Sequence, residues 1–498
     1  MKMKKLFFVS LMLSACAGLL SAATTANYDW IKLSGASVAH TMLLALDSTG
    51  NPCVFDGTDL TITQYDGAGT RLWGKSISSS TITGTGIHID KTNGFIYICG
   101  YSDVGFVEKY DSLGNILWST ATARSFPYAV SSDSDGNCII AGFSYGVSTG
   151  TYGYVMKVDS ACAKLWDSRF EIGTAGGDSE AKKGVNDIAV EPDGTIYLCG
   201  TTAASIDGNA YAYTQQQYYD GFVMKYTKAG VRSWTKHIGT EYKEYAKNIL
   251  SDGAGNAYVA GISYGDLDGN AHPGGQDVFV CKVDSNGTKS WTKMFGTRDD
   301  EDEWGLAFDP DGNIIVAAVK KTGKEENTAE FYYTLQFAGF NAQGDNTWTK
   351  NLYYGDHVSV YGMETYNAYL YMSGNYSGTV EGFTTGSGYN LIMRCLMKEK
   401  SSILAKPAEM KVYHGIFKPG LSETCQLNYT LTDSSEINVY VYDSLGTRIR
   451  ELFSGTANEG VNSILWDGRD DNGELVASGV YVIRAEPSTE QKKVVVIR

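Results

Sequence analysis

Residues 247–296 read KNILSDGAGNAYVAGISYGDLDGNAHPGGQDVFVCKVDSNGTKSWTKMFG, and their punctuation divides them into four strands. Apolar or alternating runs at Asn248 to Asp252, Ala257 to Ser263, Asp277 to Asp284 and Lys289 to Phe295 are separated by turns at Gly253 to Asn256 and Ser285 to Thr288. Short apolar runs bounded by Asp, Asn, Ser and Gly mark strands joined by hairpins, because those residues accept the backbone angles of tight turns. The same wording recurs along the chain. Trp30, Trp73, Trp118, Trp166, Trp234, Trp291 and Trp348 close similar segments at spacings of 43, 45, 48, 68, 57 and 57 residues. Third strands match as Gly105-Phe106-Val107-Glu108-Lys109, Gly153-Tyr154-Val155-Met156-Lys157, Gly221-Phe222-Val223-Met224-Lys225 and Val278-Phe279-Val280-Cys281-Lys282.

Four-stranded units at periods of 40 to 60 residues predict propeller blades. The chain resembles the bacterial seven-bladed β-propeller repeat family known as SBBP repeats, whose units run from an Asp-Gly-Asn turn through a Phe-Val-x-Lys strand to Trp-Thr-Lys. The resemblance spans about Asn27 to Ala405 and is weakest where Leu60-Thr61-Ile62-Thr63 and Leu391-Ile392-Met393-Arg394 replace the usual third strand. Trp30 lacks three strands before it. The final unit, with strands near Val358 to Thr365, Ala368 to Gly374 and Tyr389 to Met397, lacks a tryptophan strand after it. Residues Tyr28 to Lys32 are therefore expected to complete the final sheet, closing a ring of seven blades and hiding the edges an open array would expose.

Composition agrees with an all-β chain. Among 498 residues there are 57 glycines, 34 tyrosines and only 8 prolines, and charged residues make up 19%. That mixture suits turns and aromatic-rich strands and argues against a helix bundle. A formal charge of −15, with no Lys/Arg cluster, would repel a phosphate backbone, so nucleic acid is excluded as a partner. After Lys406-Pro407 the pattern changes. Strands near Thr424 to Leu431, Ile437 to Asp443, Ser463 to Trp466 and Gly479 to Ala485 surround Trp466-Asp467-Gly468-Arg469-Asp470 and Ser478-Gly479-Val480-Tyr481. This segment resembles the Ig-like domain of the flagellar hook-capping protein, and its last residues, Lys492 to Arg498, resemble type IX secretion tails. The resemblance implies a sorting, anchoring or spacer role, with contact to secretion machinery.

The expected fold is therefore all-β, a seven-bladed β-propeller at 24–405 followed by a small Ig-like β-sandwich at 406–498. Residues 1–23 read as a secretory signal peptide, with lysines in Met1 to Lys5, an apolar stretch from Leu6 to Leu20 and small residues before a cut after Ala23. A second reading of the same stretch takes Leu13-Ser14-Ala15-Cys16 as a lipobox, which would place a lipid anchor on Cys16 at the outer membrane. No other stretch approaches the ~20 apolar residues of a membrane span. The other eight cysteines lack CxxC spacing, and Cys53, Cys99, Cys138 and Cys199 fall on equivalent apolar strands, so they read as small buried hydrophobes.

Sites are sparse. An acid opens the first turn of most units, as in Asp47 with Gly50, Asp133 with Gly136, Glu191 with Gly194, Asp252 with Gly255 and Asp309 with Gly312, while Asp90 precedes Gly94. Equivalent positions spread around a ring, so these acids read as turn-stabilising groups. Gly142-Phe143-Ser144-Tyr145-Gly146 and Gly261-Ile262-Ser263-Tyr264-Gly265 match the nucleophile-elbow pattern, but an antiparallel strand is the wrong context for an elbow. Long insertions between second and third strands at Ala203 to Tyr219, Tyr264 to Gln276 and Lys320 to Glu330 would share one rim. There Tyr211, Tyr213, Tyr218 and Tyr219 offer aromatic faces with polar tips for a glycan or protein. Asp266, Asp268, Asn270 and Asp277 have the 1, 3, 5, 12 spacing of a calcium loop, with Ala271 where glycine is usual. The run Asp299 to Glu303 lies in an expected link on the same rim. The function expected from these features is non-catalytic recognition or scaffolding at the bacterial surface, and the alternative is a glycan-active enzyme using channel carboxylates.

Overall fold

The computed structural model describes residues 28–36, 42–57, 60–77, 83–122, 125–145, 150–173, 184–208, 219–323, 331–367, 369–380, 383–384, 389–396, 409–421, 423–431, 435–444, 447–457, 460–486 and 491–498. The signal segment, Cys16 and the expected boundary at 405/406 lie outside them. The chain divides into two compact units, 1–397 and 398–498.

The first unit contains five four-stranded antiparallel sheets in chain order, each a meander of neighbouring strands. They run Met42–Leu46 to Arg71–Ser76, Thr83–Ile89 to Ile116–Thr122, Ser125–Ser132 to Lys164–Glu171, Val185–Val190 to Arg232–Ile238, and Glu244–Ser251 to Lys289–Phe295. In the fifth sheet the strands Ala257–Ser263 and Lys289–Phe295 begin and end where the sequence places them. Buried runs such as Ile196–Thr202 and Ala257–Ser263 are covered on both faces, which is why apolar residues occupy both faces instead of alternating with polar ones.

An eight-stranded sheet follows, and it differs from the expected pair of separate units. Asn346–Tyr366 is one strand of 21 residues. It pairs first with Phe331–Phe340 and then with Tyr369–Val380, and Tyr354 faces both Thr334 and Thr379. No proline interrupts Asn351 to His357, and Gly355-Asp356, which could have turned the chain, is instead accommodated by a register shift in the pairing with Tyr369–Val380. The strand Tyr28–Ala36 pairs antiparallel with Tyr389–Leu396, Trp30 opposite Arg394 and Lys32 opposite Ile392, as expected from the sequence. The first strands of successive sheets touch in chain order, and the latter half of Asn346–Tyr366 touches Met42–Leu46. Leu46 N–H donates to Glu364 at 2.8 Å, and Ser373 Oγ donates to the Met42 carbonyl at 2.6 Å.

The repeated tryptophans clasp each sheet to the next. The indole N–H donates to a carbonyl in the following sheet's last turn: Trp73 to Ser112, Trp118 to Ser160, Trp166 to Lys228, Trp234 to Ser285 and Trp291 to Ala342, all between 3.0 and 3.2 Å. For Trp73, Trp166, Trp234 and Trp291 the ring lies under a turn glycine with φ near +80°, while in the turn that receives Trp118 the equivalent residue is Cys162, with φ 71°. A Cβ on Gly344 would meet Trp291 at 2.7 Å, and one on Gly230 would meet Trp166 at 2.4 Å. In those four turns glycine suits both the positive φ and the close approach. The first-turn acids act as expected: Asp133 Oδ1 accepts from Asp135 N and Asn137 N at 3.0 Å, and Asp309 Oδ1 accepts from Asn313 N at 2.8 Å. Glu191 differs by reaching the next sheet, where it accepts from Gly255 N at 3.1 Å. All eight described cysteines are free thiols, and seven of them are buried.

The second unit is a sandwich of a three-stranded and a five-stranded sheet around Trp466, Leu427, Ile437, Val439, Val441 and Ile483. Strands at Glu409–Tyr413, Arg448–Ala457 and Gln491–Val496 add to those read from the sequence. The C-terminal segment is thus part of the fold. Gln491–Val496 pairs with Gly479–Glu486, and its Val494 and Val496 are buried.

Candidate binding rim

The first two insertions begin with the same device. Asp207-Gly208 and Asp268-Gly269 all have positive φ, at 55°, 74°, 52° and 80°. In the second, Asn270 N donates to the Leu267 carbonyl at 3.0 Å, closing a two-residue turn of the type that Asp-Gly favours. Each aspartate then folds back on its own outer strand. Asp207 pairs with Arg232 and accepts from Thr235 Oγ1 at 2.5 Å, while Asp268 pairs with Lys289 at 2.5 Å and accepts from Thr292 Oγ1 at 2.6 Å. Ile206 and Leu267 anchor the turns in the core. The third insertion is built differently. Lys320 and Lys321 prolong a hairpin opposite Thr334 and Tyr333, and 324–330 lie outside the described residues.

Four aspartate and asparagine side chains expected to gather around calcium instead take separate partners. Asp266 accepts from His272 N at 2.8 Å, Asp268 is held by Lys289 and Thr292, Asn270 donates to the Leu267 carbonyl at 3.0 Å, and Asp277 accepts from Gly274 N at 3.2 Å. The Asp-Gly turn points Asp268 back to the sheet, which breaks the convergence the spacing implied. Among the described residues no three His, Cys, Asp or Glu side chains come together as metal ligands. Tyr211, Tyr213 and Tyr218 lie outside the described residues. Tyr219 is buried, 1% exposed, with its ring 6.0 Å from that of Tyr245. Its carbonyl accepts Glu244 N at 2.8 Å, and that bond draws it into the seam between the fourth and fifth sheets and away from the rim.

The acidic run is likewise a strand and not a link. Asp300–Phe308 pairs with Ile314–Gly323 so that Asp300 and Glu301 stand opposite Lys321 and Lys320. Asp299 pairs with Lys320 at 2.7 Å, and Asp302 pairs with Lys247. Opposite charges across strands stabilise the pairing and use up the negative charge locally.

Two glutamates brace the rim, Glu244, which the sequence analysis did not single out, and Glu301, which it placed only in the acidic run. Glu244 accepts from Thr240 N at 2.8 Å, Thr240 Oγ1 at 2.6 Å and Ser263 Oγ at 2.8 Å. Glu301 accepts from Thr297 N at 3.0 Å and Thr297 Oγ1 at 2.6 Å. The signal was present as Gly-Thr-x-x-x-Glu at 239–244 and 296–301. Ser263, one of the elbow serines, thereby serves a carboxylate and not a histidine. Each glutamate faces the aspartate that opens the preceding sheet's third strand, Asp220 or Asp277. Asp220 Oδ2 lies 3.1 Å from His237 Nδ1. Asp277 hydrogen-bonds to Glu301 itself, with Asp300 and His272 nearby.

Burial, then the Asp277 carboxyl, pushes Glu301 up from 4.5 to about 7, and burial also raises Asp277. The folded state therefore binds more protons than the unfolded chain between about pH 4.5 and 7. This contribution is complete below the unfolded value and is lost as pH rises through the folded one. Thermal unfolding is expected at lower temperature at pH 8 than at pH 5, and Glu301→Gln should flatten that dependence, as read by calorimetry at both values. An unchanged slope in the variant would contradict the assignment.

Residues 420–491 match the FlgD Ig-like domain family. Among solved structures, virginiamycin B lyase from Staphylococcus aureus aligns with 74% of this chain and 99% of its own, at 6% identity and a TM-score of 0.44. No curated protein matches the chain. Among the described residues no helix is long and apolar enough to cross a membrane. The chain is all-β, its first unit built of repeated four-stranded sheets in a propeller-like arrangement and its C-terminal residues similar to the FlgD Ig-like domain.

Proposed function

We propose that this protein is an exported, non-catalytic recognition or scaffold protein of the bacterial cell surface, which binds a glycan or protein through the rim that carries residues 203–219 and 264–276. In this reading the first unit is a seven-bladed propeller of SBBP-type repeats, with Asn346–Tyr366 shared by the sixth and seventh blades. The pairing of Tyr28–Ala36 with Tyr389–Leu396 and the contacts of Glu364 and Ser373 with Met42–Leu46 support closure of the ring. The Ig-like domain serves sorting or attachment, and either a signal peptide or a lipid on Cys16 takes the chain out of the cytoplasm.

The observation that carries the binding role is the pair of aspartate clamps. Asp207 and Asp268 fix neighbouring loops at equivalent points on a rigid sheet, and binding to preorganised loops loses less entropy than binding to free ones. The rival reading, a glycan-active enzyme, rests on the Asp277 and Glu301 carboxyls. They hydrogen-bond to each other, whereas glycoside hydrolysis holds its two acids about 5 Å or more apart around the bond to be cut. A screen of glycans and surface proteins should find a ligand whose binding falls at least about tenfold when 209–218 and 271–275 are shortened. The clamps remain in that variant. Unchanged binding would remove the rim from the account, and turnover of a bound glycan lost in Asp277→Asn would favour the enzyme.

A further inference from the structure

Asp277 and Glu301 face each other without the donors that serve their equivalents one sheet earlier. At the seam between the fourth and fifth sheets, His237 Nδ1 stands 3.1 Å from Asp220, and Glu244 accepts three bonds, the third from Ser263 Oγ at 2.8 Å. At the next seam the equivalent of His237 is Met294, which has nothing to donate. The equivalent of Ser263, opposite the glutamate in the strand pairing, is Lys320, and its ammonium goes to Asp299 at 2.7 Å. Asp277 and Glu301 are both 0% exposed. Asp277 Oδ2 accepts from Gly274 N at 3.2 Å, while Oδ1 is buried and meets no N–H or hydroxyl donor among the described residues. A hydrogen bond between two carboxyls requires a proton on one of them, so this pair holds a proton that both residues share.

The pair sits at the root of the second rim loop. Asp277 is the first residue after the insertion at 264–276, and beside it Glu301 N donates to the Gln276 carbonyl at 2.8 Å while Gln276 Nε2 donates to the Glu301 carbonyl at 2.9 Å. Tyr264, at the loop's other root, donates to Gln276 Oε1. The closed seam leaves the acids no space to separate, since a Cβ on Gly296 would fall 1.7 Å from Asp277 Oδ1. Other charges near the pair have partners of their own or stand on the chain beside it. Asp266 and His272 lie 3.7 Å apart on the loop, Asp300 is opposite Lys321, Asp302 pairs with Lys247, and Arg298 stands on the link before the strand. Among the described residues no Lys or Arg pairs with Asp277 or Glu301.

We propose that the shared proton is a latch on the rim: while it is present the 264–276 loop is held to the following sheet, and its loss sets two buried carboxylates against each other and releases the loop. Glu301, raised to about 7 in the closed form, returns to an ordinary carboxyl near 4.5 once the seam opens. The closed form therefore binds the extra proton between these values, and opening becomes steadily easier as pH rises from about 4.5 to 7 and levels off above. The consequence for binding rests on the proposed function: a ligand of the rim meets a fixed loop at pH 5 and a released one at pH 8. The latch itself needs no ligand, so it and the binding role stand or fall separately.

Hydrogen exchange of the full chain at pH 5 and pH 8 tests the latch, with a chelator present so that no divalent cation takes the proton's place. After correction for the intrinsic pH dependence of exchange, opening of 271–276 and 297–301 should rise at least about tenfold between the two values, and at pH 8 it should exceed that of Ala257–Ser263. Glu301→Gln and Asp277→Asn, whose amides donate to the remaining carboxyl at both values, should each cut the rise to less than about twofold. No rise in the parent, or a rise retained in either variant, as titration of His272 would leave it, overturns the proposal. So does opening of the two segments no faster than that of Ala257–Ser263 at pH 8, which would mean that the loop is released only when the whole sheet unfolds.

Discussion

Trp466→Ala is expected to cost the C-terminal sandwich about 3–5 kcal/mol, the range for truncating a large buried aromatic residue. Trp466 is 1% exposed and lies between the rings of Phe417 at 5.5 Å and Tyr481 at 5.3 Å. Its Nε1 donates to the Arg469 carbonyl at 2.9 Å, which closes the turn after the strand Gly460–Trp466. Alanine would leave a void at the centre of this unit's core, and an unanswered carbonyl beside it. Stability of a small domain is about 5–15 kcal/mol in all, so the loss takes a large share of it. Hydrogen exchange of the full chain provides the measurement. Amides of Cys425–Leu431 and Gly479–Glu486 should exchange about 100-fold faster or more in the variant, as 1.4 kcal/mol corresponds to a factor of ten. Parent-like exchange would mean that the ring is not central to the core.

Trp291→Ala is expected to cost the first unit about 3 kcal/mol, at the low end of the same range because the indole is only half-buried. Its effect falls on two sheets at once. The ring packs 6.1 Å from Tyr258 in its own sheet, lies under Gly344 of the next, and donates to Ala342 there. Trp291→Phe keeps much of the packing and loses the hydrogen bond, so it should fall between parent and alanine. Denaturant unfolding of the three proteins gives the order, and an alanine variant with the parent's midpoint would deny the clasp any energetic role.

What the sequence disclosed follows from what repeats do to a chain. Seven tryptophans, the Asp-to-Gly first turns and the Phe-Val-x-Lys strands each state a local preference several times, and agreement among copies placed strands such as Ala257–Ser263 to the residue. Features set by partners distant in sequence were not legible in this way. The indole of Trp118 gives no sign that Ser160 receives its N–H. The acids at 299–303 look like a solvated run until Lys320 and Lys321 are known to lie across from them. Asp268 reads as a calcium ligand by spacing, and only the left-handed turn at 268–269 turns it to Lys289. Tyr219 has the composition of a contact residue and the location of a core residue. Copies can inform by disagreement as well. Met294 and Lys320 depart from His237 and Ser263, their equivalents one sheet earlier, and the departures are visible in the sequence once the sheets are aligned by their tryptophans and first-turn glycines.

Closure of the ring by the strand Tyr28–Ala36 is the claim on which the proposed architecture depends. Native-state hydrogen exchange of peptides covering 28–36 and 389–396 tests it most directly. Paired strands should hold their amides as strongly as Ala257–Ser263, with protection of both segments lost together when residues 28–36 are deleted. Exchange of 28–36 at the rate of an unpaired chain, or full protection of 389–396 after the deletion, would contradict it.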